Sequence, residues 1–220
     1  MKKTYFLLLT SLLANYIFAQ NDPQAKAILD KVAAKNNGYK TINADFKFTS
    51  TNTQNDQSSN ESGKVLIKGD KYHLAFNNSD IVFDGKSVYT YLHKENEINI
   101  TKPEPSKTEK GNFFFSNPRD IFKGYNKNFK SKLIKEILIG KAQCYEVDLY
   151  PIDLKTKYSR IRMHIDKNIM HILDIKLFSK DGTQYFLEFS NFSPNIDIAD
   201  TEFAFDTQKY PNAEVNDMRF

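Results

Sequence analysis

Four histidines, His73, His93, His164 and His171, are the side chains best suited to metal or proton chemistry in this sequence. His164 and His171 flank a turn expected at Asp166-Lys167-Asn168, so the two imidazoles could approach each other with Asp166 as a third ligand. The competing reading is that they are ordinary polar residues on exposed strand faces, and the loose spacing favours it. Paired catalytic carboxylates leave no signature here. A Ser-His-Asp triad is spatial, and nothing in the sequence points to one. G-x-S-x-G, H-E-x-x-H, G-x-G-x-x-G, P-loop and C-x-x-C motifs are all missing from the sequence. Cys144 is the single cysteine, which excludes a disulfide framework and a thiolate zinc site, and it reads as a buried small residue. The expectation is a protein with no catalytic residues, no metal and no cofactor, and not an enzyme.

What the chain does offer is aromatic surface. Its 220 residues include 18 Phe and 12 Tyr, with 40% hydrophobic and 26% charged residues and a net charge of +4. That composition supports one sizeable core. It excludes collagen, coiled coil and wholesale disorder, and the mean hydropathy of -0.57 excludes a polytopic membrane protein. The charge is too small for a typical nucleic-acid binder. Lys123, Lys127, Lys130, Lys132, Lys135 and Lys141 form a basic run opposed only by Glu136. It reads first as a solvated strand face, and second as a docking patch for an acidic partner or anionic lipid.

The elements that must position this surface start after an address. Lys2 and Lys3, the apolar run from Tyr5 to Leu13 and the small residue Ala19 make residues 1–19 a signal peptide, too short in its apolar part to span a membrane. The product is expected to be exported, and residues 20–220 to form one domain. Asp22 as N-cap and Pro23 at the first position start a helix with Ala25, Ile28, Leu29, Val32 and Ala33 on one stripe. Asn37-Gly38 is expected to end it, with Gly38 left-handed.

Beyond Gly38 the apolar period changes to two. Strands are expected around Ile42–Phe48, Val65–Lys68, Tyr72–Phe76, Ile81–Phe83, Val88–Leu92 and Ile98–Ile100, with Thr49–Ser62 as a long polar hairpin tip. A Pro-containing loop from Thr101 leads to Phe113-Phe114-Phe115, and Asn117-Pro118 starts a short helix ending near Gly124. Strands resume at Phe129–Ile139, Cys144–Tyr150, Tyr158–Ile165, Ile169–Phe178, Gln184–Asn191 and Glu202–Phe205. Ile161, Met163 and Ile165 alternate with Arg160, Arg162 and His164, and Tyr185, Leu187 and Phe189 alternate with polar residues. One apolar face and one wet face describe a single curved antiparallel sheet. With so few helices to cover it, the apolar face reads either as a filled core or as an acyl-sized cavity under a lid.

Several segments together resemble the outer-membrane lipoprotein carrier family, LolA, in its Bacteroidetes-like form. They are the helix Ala27-Ile28-Leu29-Asp30-Lys31-Val32 with Tyr39–Phe46, Gly63–Lys68, Ile81–Tyr91, and Asp200–Phe205 followed by Pro211 and Val215-Asn216-Asp217. The resemblance implies a mainly β fold with an α lid, an open antiparallel half-barrel of about eleven strands covered by helices on its concave side. It implies a periplasmic, monomeric carrier with no nucleic-acid partner. Such a carrier takes triacylated lipoproteins from an inner-membrane lipoprotein-releasing transporter and passes them to an outer-membrane acceptor.

The acyl-chain cavity is then expected to be lined by Phe46, Phe48, Val65, Ile67, Tyr72, Leu74, Phe76, Tyr89, Tyr91, Ile161, Met163, Tyr185, Leu187 and Phe189. The lid is expected to use Ile28, Leu29, Val32, Phe113, Phe114, Phe115, Ile121 and Phe122. Many family members carry Arg-Pro after the strand matching Val65–Lys68, an Arg that fastens the lid; here those positions are Gly69-Asp70. Trp, common in other members' cavities, is missing. The alternatives are a lipid- or lipoprotein-sensing periplasmic module on the same fold and, further off, a hydrolase.

Overall fold

The twelve strands hydrogen-bond into one open sheet in the order β12-β6-β5-β4-β3-β2-β1-β11-β10-β9-β8-β7, where β1 is Thr41–Asn52, β2 Gln57–Lys68, β3 Lys71–Phe76, β4 Ser79–Phe83, β5 Val88–Leu92, β6 Glu97–Thr101, β7 Phe129–Ile139, β8 Ala142–Pro151, β9 Tyr158–Asp166, β10 Ile172–Ser179, β11 Thr183–Pro194 and β12 Glu214–Asp217. The computed structural model describes residues 22–103, 118–122 and 128–220. Residues 1–19, expected to be a signal peptide, the expected loop beyond residue 103, Phe113, Phe114, Phe115, Asn117, Lys123, Gly124 and Lys127 lie outside the described residues. Every pairing is antiparallel except β12, which lies parallel to β6. The first and last strands in this order do not meet, so the sheet is a mainly β, open half-barrel and not a closed one.

One helix, α1 (Pro23–Asn37), and a turn of 3₁₀ helix at Pro118–Phe122 cover one face of this sheet. Asp22 starts α1 as expected: its Oδ1 accepts from the amides of Gln24 and Ala25, at 2.9 and 3.4 Å. Its Oδ2 also accepts from the Leu133 amide of β7 at 2.9 Å, so the same carboxylate caps the helix and moors it to the sheet edge. Burial pushes this carboxyl up, but the three amides and the charge of Lys132 outweigh it and hold it below its ordinary value.

Three local expectations are corrected. Gly38 is not left-handed but sits at φ -77°, ψ -13°, its amide still bonded to the Ala34 and Lys35 carbonyls. The helix is ended instead by the backbone turn at Asn36–Tyr39, where the Tyr39 amide donates to the Asn36 carbonyl. Residues 49–62 are not a loop: β1 and β2 run through them, and the tip is only Thr53–Asp56. Thr49 to Asn60 (2.7 Å) and Thr51 to Ser58 (3.3 Å) pair across the strands, so polarity there marks a two-sided wet hairpin. Glu202–Phe205 is not a strand, because Asp200–Phe203 winds as a 3₁₀ turn that tucks Phe203 against the sheet.

That turn belongs to a second, smaller layer. The C-terminal segment crosses the face opposite α1, burying Ile198 and Phe203 close to Val82, Ile98 and Ile100. Lys68 fastens it, its Nζ donating to the Ile198 carbonyl at 2.7 Å and pairing with Asp200 at 3.2 Å.

Further along this outer face, over β8–β10, the strands carry charge in place of a covering segment. Asp148 takes Arg162 through Nε and Nη2 at 2.7 and 2.9 Å and Arg160 at 3.2 Å. Glu146 meets Arg162 at 3.2 Å and His164 at 3.1 Å, and the other nitrogen of His164 lies 2.7 Å from Asp174. The Asp174 hydrogen bond, opposed by burial and reinforced by both carboxylates' charge, raises the His164 pKa above its ordinary 6.5.

Protonated His164 is therefore favoured in the folded state, so its contribution is complete below 6.5 and fades as pH rises through the raised folded value. His171 acts oppositely, since burial and then Lys35 lower its pKa. Its contribution is complete above 6.5 and is lost as pH falls through its lowered value. His164→Gln is expected to remove the loss of stability on the alkaline side while leaving the acidic side unchanged. Urea midpoints across neutral pH test this, and an unaltered alkaline slope would contradict it.

Candidate functional site: the covered face

Register places the apolar residues on one surface. Phe48 opposes Leu187, Leu187 opposes Ile175, and Ile175 opposes Met163. Val65 opposes Ala44 on one side and Leu74 on the other. Because side chains alternate with period two, every residue in these rows faces α1 and the Pro118–Phe122 turn. Phe46, Phe48, Val65, Ile67, Tyr72, Leu74, Ile161, Met163 and Leu187 are buried there, and Phe76, Tyr185 and Phe189 are partly buried against them. Burial pushes the Tyr72 hydroxyl up to about 12, Arg119 opposing and Asp120 adding to it, so that ring stays neutral.

Tyr89 and Tyr91 are corrected. Tyr89 opposes Val82 and Ile100, and Tyr91 opposes Asp80 and Ile98, which is the outer face. There Tyr89 stacks on Phe205 at 5.3 Å and Tyr91 packs on Tyr210 at 4.3 Å. Alternation alone could not tell the faces apart at this strand, since both carry apolar residues and one is covered by a segment distant in sequence.

Among the described residues two pieces make the covering. Ala25, Ile28, Leu29 and Val32 of α1 are buried, and so are Pro118, Ile121 and Phe122 of the turn. Ile121 and Phe122 close over Phe46, Val65, Leu74, Leu187 and Phe189, leaving about 10 Å³ beneath them. Phe122 packs at 5.4 Å from Phe189 and 6.0 Å from Phe192. The Ile121 and Phe122 side chains therefore fill the space over this part of the sheet.

Polar contacts hold the pieces together at one end. Asn36 Nδ2 donates to the Phe122 carbonyl at 3.1 Å, tying α1 to the turn. Arg119 forms an ion pair with the Asp70 carboxylate and donates to its carbonyl at 3.1 Å, tying the turn to the β2–β3 connection. Tyr39 Oη lies 2.7 Å from His171 Nε2. These residues border a cavity of about 230 Å³ with Asn36, Tyr39, Thr41, Ile67, Asp70 and Arg119 in its wall.

Relative to the Arg latch that the resemblance implied, the polarity is reversed: the acid is on the sheet and the guanidinium on the lid. Sequence reasoning missed Asn36, Asp70 and Arg119 as a set. The signal available was the Asp at the expected latch position together with a single Arg beside Pro118. The two histidines weighed as a metal pair belong to separate networks, His164 with Glu146 and Asp174, His171 with Tyr39. Asp166 caps the amides of Asn168 and Ile169. Among the described residues no three His, Cys, Asp or Glu side chains are grouped to hold a metal ion.

Residues 37–206 match the family described as outer membrane lipoprotein carrier protein LolA. The chain belongs to this family. The match runs from the end of α1 through the Pro118–Phe122 turn and into the C-terminal segment, so it contains Tyr39, Asp70, Arg119 and His171 but not Asn36.

An uncharacterized protein of Methanocaldococcus jannaschii is 27% identical over 207 residues, 93% of this chain, and the chain spans 58% of that relative's length. The crystal structure of an uncharacterized conserved protein from Thermus thermophilus superposes with a TM-score of 0.59 at 12% identity, covering 88% of this chain and 99% of that one. That likeness shows the fold alone. A LolA superfamily protein from Nitrosomonas europaea gives a TM-score of 0.45 at 14% identity, over 83% of this chain and 98% of that one. No helix among the described residues is long and apolar enough to cross a membrane.

Proposed function

We propose that this LolA-family protein is a periplasmic lipoprotein carrier, exported by residues 1–19. It receives the acyl chains of triacylated lipoproteins from an inner-membrane releasing transporter, shields them against the covered face and delivers them to an outer-membrane acceptor. The observation that carries this reading is the mismatch between sheet and cover. Among the described residues, a continuous apolar face running from β3 to β8 is met at its centre by a five-residue turn that packs Ile121 and Phe122 on it and is tied by polar contacts of Asn36 and Arg119 at its margins.

The energetics suit transfer. Each methylene taken from water is worth about 0.8 kcal/mol, so three long chains represent tens of kcal/mol. The Arg119–Asp70 pair joins a mostly buried guanidinium to an exposed carboxylate, and pairs that reach solvent hold only about 0–1 kcal/mol. That tie is small beside the cargo's gain, and Ile121 and Phe122 are displaced by chains that make the same contacts. Phe46, Phe48, Val65, Ile67, Tyr72, Leu74, Phe76, Ile161, Met163, Tyr185, Leu187 and Phe189 are the proposed acyl-contacting residues. None forms a strong directed bond to a chain, so release to a better acceptor stays possible.

The test is solubility of cargo. Inner-membrane vesicles containing the releasing transporter and a triacylated lipoprotein are incubated with ATP and the purified protein, and the lipoprotein is followed in the supernatant after sedimentation. Cargo appearing in a soluble one-to-one complex is the expected result; cargo remaining wholly with the vesicles overturns the carrier reading.

A further inference from the structure

The end of the sheet where β8 passes to β9 carries an apolar point on a basic collar. In the connection 152–157, Ile152 is 53% exposed and Leu154 is 79% exposed. The loop is braced, so its exposure is built in. Asp153 Oδ1 accepts from the Lys155 amide at 2.9 Å, and the Thr156 hydroxyl donates to the Asp153 carbonyl at 3.1 Å. The Ile152 amide donates to the Asn128 carbonyl at 3.0 Å, and Lys180 Nζ, from the β10–β11 turn, donates to the Leu154 carbonyl at 2.6 Å.

Lys155 and Lys157 lie in the same loop, Lys180 beside it, and Lys130 of β7 opposite the exposed Tyr150. The acids at this end, Asp153 and Asp181, fold back to cap backbone amides. The neighbouring β1–β2 tip is polar, and Thr53 ties it to the Gly182 carbonyl at 2.8 Å.

We propose that this end of the sheet docks on an anionic phospholipid surface, with Leu154 and Ile152 entering the acyl boundary and the lysines lying over the headgroups. The braced loop holds two aliphatic side chains side by side largely in water. A small protruding apolar point beside a cluster of lysines matches a headgroup layer, where the stems bury and the charges stay wet. A protein interface of comparable strength needs a broad desolvated centre, whereas this tip is narrow and the ring of Tyr150 beside it is held by its hydroxyl on Asp148. The inference goes beyond the carrier reading and does not rest on it, because binding here involves neither the lid nor the covered face.

The experiment is co-sedimentation of the purified protein with phosphatidylglycerol–phosphatidylethanolamine vesicles, against phosphatidylcholine vesicles, at low and high salt. Binding is expected on the anionic vesicles only and is expected to fall as salt shortens the reach of the lysines. Leu154→Asp is expected to weaken it about tenfold or more. Lys155→Glu is expected to weaken it at least about fivefold. Leu138→Asp, also at an exposed position but on the edge strand at the other end, is expected to bind as wild type. Far-ultraviolet circular dichroism and the thermal midpoint are expected to be unchanged in all three. No sedimentation of the wild type, equal binding to neutral vesicles, wild-type binding by Leu154→Asp, or an equal loss in Leu138→Asp would each overturn the proposal.

Discussion

Asp148→Ala is expected to cost about 3 kcal/mol of folding stability, the low end of the range for breaking a buried ion pair. The carboxylate is 1% exposed and is shared by Arg160, Arg162 and the Tyr150 hydroxyl. Removing it leaves two guanidiniums side by side on the outer face of β9, with Glu146 still 3.2 Å from Arg162. Both arginines reach solvent in part, which is why the low end applies. For a chain of this length that loss corresponds to a drop of about 6–12 °C in thermal midpoint. Urea unfolding measures it directly, and a loss below about 1 kcal/mol would mean that water substitutes for the carboxylate. The cost is a penalty for stranding the partners. An apolar replacement of the whole cluster is a different experiment and is expected to be closer to neutral.

Gly63→Ala is expected to be comparably damaging for a steric reason. A Cβ at this position would lie 2.5 Å from the Ala75 carbonyl oxygen, 2.5 Å from Phe46 Cζ and 2.6 Å from Phe76 Cβ. Gly63 stands between Phe46 and Phe76 in the register, and the two rings, 6.1 Å apart, close over it. Overpacking usually costs about 1–3 kcal/mol, and a backbone oxygen among the clashing atoms puts this site at the upper end. Phe46→Leu in the same chain is expected to recover part of the loss and not all of it, because the Ala75 oxygen cannot rotate away. Full stability of Gly63→Ala alone would refute the account. Phe46 also floors the space under the lid turn, so the shift is expected to disturb that closure.

Most of the sheet is legible in the sequence because alternation is a local property. Ile161-Arg162-Met163-His164-Ile165 needs no distant residue to declare two faces, and those faces are the observed ones. The Asp22-Pro23 cap is equally local. The polar stretch 49–62 reads as a loop because composition reports solvent contact, and a hairpin arm wet on both sides has the composition of a loop. Glu202–Phe205 misleads for the converse reason: an acidic and aromatic run fits a strand, but Phe203 is drawn down as a plug for the outer layer. β12 leaves no local signal, since its four residues become a strand only by lying parallel to β6, over a hundred residues earlier.

The alternating strands, the amphipathic helix and, through a handful of ordered segments, the family are all written in the chain itself. Long-range packing decided which face the helix covers, that Tyr89 and Tyr91 belong to the other one, and that Arg119 meets Asp70 across 49 residues of chain. The difference is one of range. Periodicity and capping act within a turn or a pleat, whereas a face is assigned, and a lid fastened, only when distant segments compete to bury the same surface.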